Sequence, residues 1–111
     1  MEITTQQFKH CDVLSIKGKV DSFTAPDLIK AMEELNAANR FKIILDMGKL
    51  EYMSSAGFRA ILLGQRNCKR YNRGEIVLAS VPEKVMSALE LTGFTPLFKI
   101  FDEITPAVGN F

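Results

Sequence analysis

The 111-residue chain is poor in the groups that usually carry chemistry. It holds one histidine, His10, and two cysteines, Cys11 and Cys68. Neither cysteine belongs to a Cys-x-x-Cys pair, so the ligands of a zinc site are missing. There is no Gly-x-x-x-x-Gly-Lys loop and no Gly-x-Gly-x-x-Gly after a strand pattern, which removes the common phosphate and dinucleotide cradles. The acids are scattered, and no pair is spaced for acid–base work. No apolar run approaches the roughly 20 residues that span a bilayer. Met1 to Gln7 contains no apolar h-region, so no signal peptide is expected. The formal net charge of +1 gives no strong field for nucleic acid or an acidic membrane. These deficits point away from an enzyme, a metal protein, a cofactor carrier and a nucleic-acid binder. The two cysteines read as free buried thiols in a reducing cytoplasm, with a disulfide as the alternative.

What the chain does have is a core. Hydrophobic residues make up 47% and charged residues 24%, the balance of one soluble globular domain. Glu2 to Phe8 and Asp12 to Lys17 read as a strand hairpin around a turn at His10 and Cys11. Gly18-Lys19-Val20-Asp21 is expected to leave the sheet. Thr24-Ala25-Pro26-Asp27 carries a cap hydroxyl, a first-turn proline and an acid three residues after the cap, which predicts a helix start. Leu28, Ala31, Met32, Leu35 and Ala38 would form its apolar face, and Asn39 and Arg40 its end.

Phe41 to Asp46 is a near-continuous apolar strand, with a turn expected at Gly48. A second helix runs from Ser54 or Ser55 to about Tyr71, closed by Asn72-Arg73-Gly74. Glu75 to Ala79 is a buried strand, and Pro82 opens a helix with core positions Val85, Met86 and Leu89 and Gly93 at its end. Phe98 to Phe101 is the last strand, and Ile104 to Val108 a short terminal helix. The order β-β-α-β-α-β-α-β predicts a single α/β domain, a mixed sheet flanked by about four helices, with the later strands parallel.

The stretch Tyr52-Met53-Ser54-Ser55-Ala56-Gly57-Phe58-Arg59 stands out. Phe58, Ile61, Leu62 and Gln65 repeat at three and four, the mark of one buried helix face. One of the two serines is therefore the N-cap. Ala56 and Gly57 leave the first turn almost bare, so hydroxyl and backbone amides stay accessible at the positive end of a helix dipole. The plain alternative is an ordinary capped helix. The strand-to-helix turn is nevertheless where ligands and partners gather in α/β layers. Arg59, Arg66, Arg70 and Arg73 are spaced seven, four and three apart, giving either a solvated stripe or a partner surface.

Taken together, Gly18-Lys19-Val20-Asp21, Asp46-Met47-Gly48-Lys49-Leu50, the Tyr52–Phe58 serine motif, and Leu91-Thr92-Gly93-Phe94 before Leu97-Phe98-Lys99-Ile100 resemble the STAS family. The resemblance is to its small stand-alone bacterial anti-sigma factor antagonists, over nearly the whole chain. It implies a mixed sheet with flanking helices and a role in protein interaction. It implies binding to an anti-sigma factor with a kinase-type ATP domain, phosphorylation on a serine at the start of the second helix, and reversal by a serine phosphatase. The family motif reads Asp-Ser-Ser/Thr/Ala-Gly; here Ser54 stands in place of that Asp, and the acceptor position falls on Ser55, with Ser54 the second candidate. The partner-binding residues implied are Asp21, Ser22, Thr24, Ser54, Ser55, Ala56, Gly57 and Arg59. The alternative within the family is an unphosphorylated STAS scaffold subunit of a lipid or anion transport complex.

Overall fold

The computed structural model describes all residues, 1–111. Strand β1 (Glu2–Gln7) pairs antiparallel with β2 (Asp12–Val20) as a hairpin. Helix α1 (Ala25–Ala37), strand β3 (Lys42–Met53), helix α2 (Ser55–Lys69), strand β4 (Glu75–Ala79), helix α3 (Glu83–Thr92), strand β5 (Lys99–Phe101) and helix α4 (Ile104–Gly109) follow. The sheet order is β1-β2-β3-β4-β5, and every pairing after the hairpin is parallel. This is the mixed α/β domain with four helices that the alternation of patterns predicts.

Strands laid down in sequential order, with crossovers of one hand, put their connecting helices on one face. The larger core lies there: Leu28 and Met32 of α1, Phe58 and Ile61 of α2, and Val85 and Leu89 of α3 pack on Ile16, Ile43, Leu45, Ile76 and Leu78. The other face is covered only where α4, together with Phe8 and Phe101, packs over Val13, Ile44, Val77 and Ala79. Ile44 and its neighbours Ile43 and Leu45 thus enter opposite cores, which is why these three consecutive positions are all apolar. Cys11 lies in the smaller core and Cys68 in the larger, with the sheet between them, so both are free thiols. Burial raises the pKa of each above the ordinary thiol value.

Several local expectations give way. Gly18 does not leave the sheet, nor does Gly48 turn the chain; β2 runs on to Val20 and β3 to Met53. Their pairing shifts register twice, so that β3 carries one extra residue opposite Ser15–Lys17 and another opposite Gly18–Lys19. Gly18 takes φ of +96°, a conformation that glycine adopts without strain. The Asp46 carboxylate accepts from the Gly48 amide (3.0 Å), giving that bulged amide a local partner. Ala38 is exposed rather than on the α1 core face, and Leu62 and Met86 are only half-buried.

Helix α2 stops at Lys69, and a 3-10 turn (Arg70–Asn72) with positive φ at Tyr71 and Asn72 reverses the chain. That turn breaks the arginine stripe. Arg73 folds back to donate to the carbonyls of Arg70 (3.0 Å) and Asn67 (2.9 Å), and its guanidinium stacks 3.9 Å from the Phe41 ring centroid. It serves as the C-terminal cap of α2.

Candidate functional site

The site forms where β2 and β3 end side by side. Val20 pairs with Met53, and the Ser54 amide donates to the Val20 carbonyl (2.8 Å). The turn beginning at Asp21 is therefore tied to the residue that starts α2. A sequence separation of over 30 residues is closed by one hydrogen bond at the end of a parallel ladder.

Ser54 is the N-cap. Its backbone is extended (φ −80°, ψ 173°), its hydroxyl accepts from the Gly57 amide (3.4 Å), and its carbonyl accepts from Phe58 N–H (3.1 Å). Ser55 occupies the first helical position and is exposed. Capping and exposure thus fall on different hydroxyls, a choice that sequence left open. The amides of Ser55 and Ala56 have no intrahelical acceptor by helix geometry. Arg59 lies one turn beyond Ser55, at the i,i+4 spacing that places two side chains on one face, and is exposed as well.

Gly57 is different. It is buried, and a Cβ there would stand 2.5 Å from Met53 Cγ and 3.0 Å from Val20 Cγ1. Only a glycine lets the first turn of α2 settle onto the two strand ends. Gly57, expected among the partner-contacting residues, is buried here and supports the helix start from beneath. Ala56 is half-buried beside it.

The Asp21–Thr24 turn is closed by its own side chains. Asp21 Oδ1 accepts from the amides of Phe23 (2.9 Å) and Thr24 (3.0 Å), while Thr24 Oγ1 accepts from the Asp21 amide (2.9 Å). The Asp21 carbonyl also accepts from Ala25 N–H (2.8 Å). Thr24 sits at the N-cap position of α1, yet its hydroxyl makes no cap bond into the helix; it is spent on Asp21 instead. The Thr24 amide's bond to Asp21 holds the carboxyl of Asp21 below the ordinary carboxylate range, with the Phe23 amide contributing. A depressed folded pKa means that this contribution to stability is present above the unfolded value and is lost as pH falls through the folded one.

Asp21, Ser22, Thr24, Ser54, Ser55 and Arg59 are thus gathered at one end of the sheet, all at least partly exposed. Sequence reasoning passed over Phe23, which is 89% exposed in the middle of this turn. The available signal was an aromatic inside a polar turn, out of phase with either neighbouring element.

The residues of this end hold no cluster of three or more potential metal ligands. No helix is long and apolar enough to cross a membrane. The STAS domain family model matches residues 2–107. The chain belongs to the STAS family.

Relatives of this STAS domain differ in what surrounds it. BtrV of Bordetella bronchiseptica, assigned as an anti-sigma factor antagonist, is 27% identical over 111 residues, covering 100% of this chain and 95% of that protein. An anti-sigma factor antagonist from Mycobacterium paratuberculosis superposes with a TM-score of 0.87 at 18% identity, covering 98% of this chain and 92% of that one. The murine anion transporter Slc26a9 contains the same fold (TM-score 0.79, 14% identity), but the match covers 18% of the transporter chain. At such identities the two structural likenesses concern the fold.

Separating cap from acceptor gives a stability prediction. Ser54→Ala removes the cap and should cost about 0.5–2 kcal/mol. Ser55→Ala, at an exposed position without a cap bond, should stay within about 0.5 kcal/mol of the parent. Thermal melts of the two variants check this; a larger loss for Ser55→Ala would exchange the two roles.

Proposed function

We propose that this STAS domain is an anti-sigma factor antagonist. It binds an anti-sigma factor carrying a kinase-type ATP domain, frees the sigma factor, and so regulates sigma-factor-dependent transcription in the cytoplasm. The domain is a binding module without catalysis of its own. Ser55 is phosphorylated by the anti-sigma factor, and a serine phosphatase restores the hydroxyl. The observation carrying this reading is the exposed Ser55 hydroxyl beside a separate cap, on a helix start joined to the Asp21 turn.

The physics of the switch follows. A phosphoserine adds about −1.5 to −2 charges at pH 7. At the first turn of α2 the dipole favours that charge by roughly 0.3–1 kcal/mol, and Arg59 one turn on can pair with it. The fold therefore tolerates the modification. A partner surface fitted to the neutral serine meets a new dianion, and a conflict of roughly 3 kcal/mol would lower affinity about a hundredfold. Binding changes while the fold does not.

The test is a calorimetric titration of the host's kinase-type anti-sigma factor against the parent, Ser55→Ala, Ser55→Asp and Asp21→Ala. Ser55→Ala should bind like the unmodified protein. Ser55→Asp, with one charge and a shorter reach than phosphate, should weaken binding in part. Asp21→Ala should weaken it by loosening the turn. Equal affinities for all four would sink the switch and favour the transport-scaffold reading, in which no serine is modified.

A further inference from the structure

We infer that Phe23 is the aromatic anchor of the partner interface, inserting into an apolar pocket of the anti-sigma factor beside the serine switch. This deepens the reading above and rests on it. Phe23 is 89% exposed, the most exposed aromatic of the chain, and nothing in the fold requires a phenyl ring there. Water around a ring of that size is released when a partner covers it.

The turn that carries Phe23 is fixed before any partner arrives. Its amide donates to Asp21 Oδ1 at 2.9 Å, and the next amide donates to the same oxygen at 3.0 Å. The Asp21 amide is held by Thr24 Oγ1 at 2.9 Å, and the Asp21 carbonyl by Ala25 N–H at 2.8 Å. The Thr24 hydroxyl proton has two acceptors within reach, Asp21 Oδ1 at 3.2 Å and Lys19 O at 3.3 Å. A ring on so constrained a backbone has only its two side-chain torsions to lose on binding, so most of the burial free energy appears as affinity.

Position gives the occupant. Val20, whose carbonyl accepts from Ser54 N–H, lies three residues before Phe23, so any partner that covers Ser55 lies against this turn. Lys19, paired with Tyr52, lies at the same end of β2 and β3 and precedes the turn by two residues. Asp21 and Arg59 supply the charged rim around Phe23. An aromatic centre with a charged rim is the usual arrangement of a binding hot spot. The partner surface implied is an apolar cup edged by groups complementary to a carboxylate and a guanidinium. Division of labour follows: Phe23 supplies affinity in every state, and Ser55 decides whether that affinity can be used.

The experiment is a titration of the host's purified kinase-type anti-sigma factor against the parent, Phe23→Ala, Phe23→Leu and Ser55→Asp, with thermal melts of each. Phe23→Ala should raise Kd about 30-fold or more, the scale of a hot-spot truncation. Its melting temperature should match the parent's, because the ring is outside the core. Phe23→Leu should recover most of the affinity. Phe23→Ala binding within about threefold of the parent, while Ser55→Asp is weakened, would overturn the anchor and leave the switch standing. A parent protein that does not bind at all would overturn both.

Discussion

Replacing Gln65 with methionine is expected to lower stability by roughly 4 kcal/mol, although the new side chain has nearly the same volume. Gln65 is 3% exposed, in the C-terminal half of α2. Its Nε2 donates to the Ile76 carbonyl (3.1 Å) and the Leu97 carbonyl (2.8 Å), and its Oε1 accepts from the Ile76 amide (2.6 Å). The reason lies in the ladder. β4 pairs with β5 only from Val77 onward, so on that side Ile76 has no strand beside it. The Gln65 amide stands in for the missing strand. Methionine would strand the groups it served, each at about 1–3 kcal/mol, partly offset by relaxation and by apolar burial. For a domain of this size roughly 4 kcal/mol corresponds to a melting temperature lower by about 15 °C. A thermal melt equal to the parent's would mean that water or backbone movement takes over all three bonds.

The second large effect is expected at the opposite end of the molecule from Ser55. Asp12 is 2% exposed, and its carboxylate meets Arg40 Nε at 2.7 Å. The same guanidinium donates to the carbonyls of Phe8 (2.7 Å) and Cys11 (3.1 Å), so Arg40 pins the end of α1 to the hairpin turn. Arg40→Met leaves a buried carboxylate without its cation. Breaking a buried pair from one side costs about 3–5 kcal/mol. Because the arginine side chain is 25% exposed, water softens the loss to roughly 3 kcal/mol. The Asp12→Leu, Arg40→Met double variant should recover a good part of this, since no charge is then left unpaired. A double-mutant cycle in urea measures the coupling, and additive losses would mean that the pair contributes nothing. Partner affinity per folded molecule should be unchanged in every one of these variants, because Asp12 and Arg40 lie at the far ends of β2 and α1 from the Ser55 turn.

The two predictions differ in how visible their causes are in the sequence. Gln65 falls on the three-and-four repeat with Phe58 and Ile61, so its burial is legible, but its partners are not. The Asp12–Arg40 pair is not legible at all: Arg40 reads simply as the end of a helix, and its partner is 28 residues away. The same holds for Phe23, whose importance depends on the turn placing it beside a serine over 30 residues later.

Element order, the mixed α/β class and the helix start at the paired serines are legible in the chain without its tertiary contacts. Each rests on local physics: an apolar run, a periodic face, a cap hydroxyl, a glycine or proline at an end. The tertiary structure decided how far β2 and β3 extend and which serine is free. Met47, Leu50 and Met53 are buried at intervals of three, a spacing that fits neither a regular strand nor a helix. It arises because the two bulges each add a residue to β3, so the core face recurs every third position. When only their neighbours are considered, Gly18 looks like an exit from the sheet and Gly48 like a turn. Parallel pairing between segments about 30 residues apart outweighs that local preference and carries both strands on to Val20 and Met53. At that end the Ser54 amide closes the ladder on Val20, the Ser54 hydroxyl turns inward to cap α2, and Ser55 is left facing solvent.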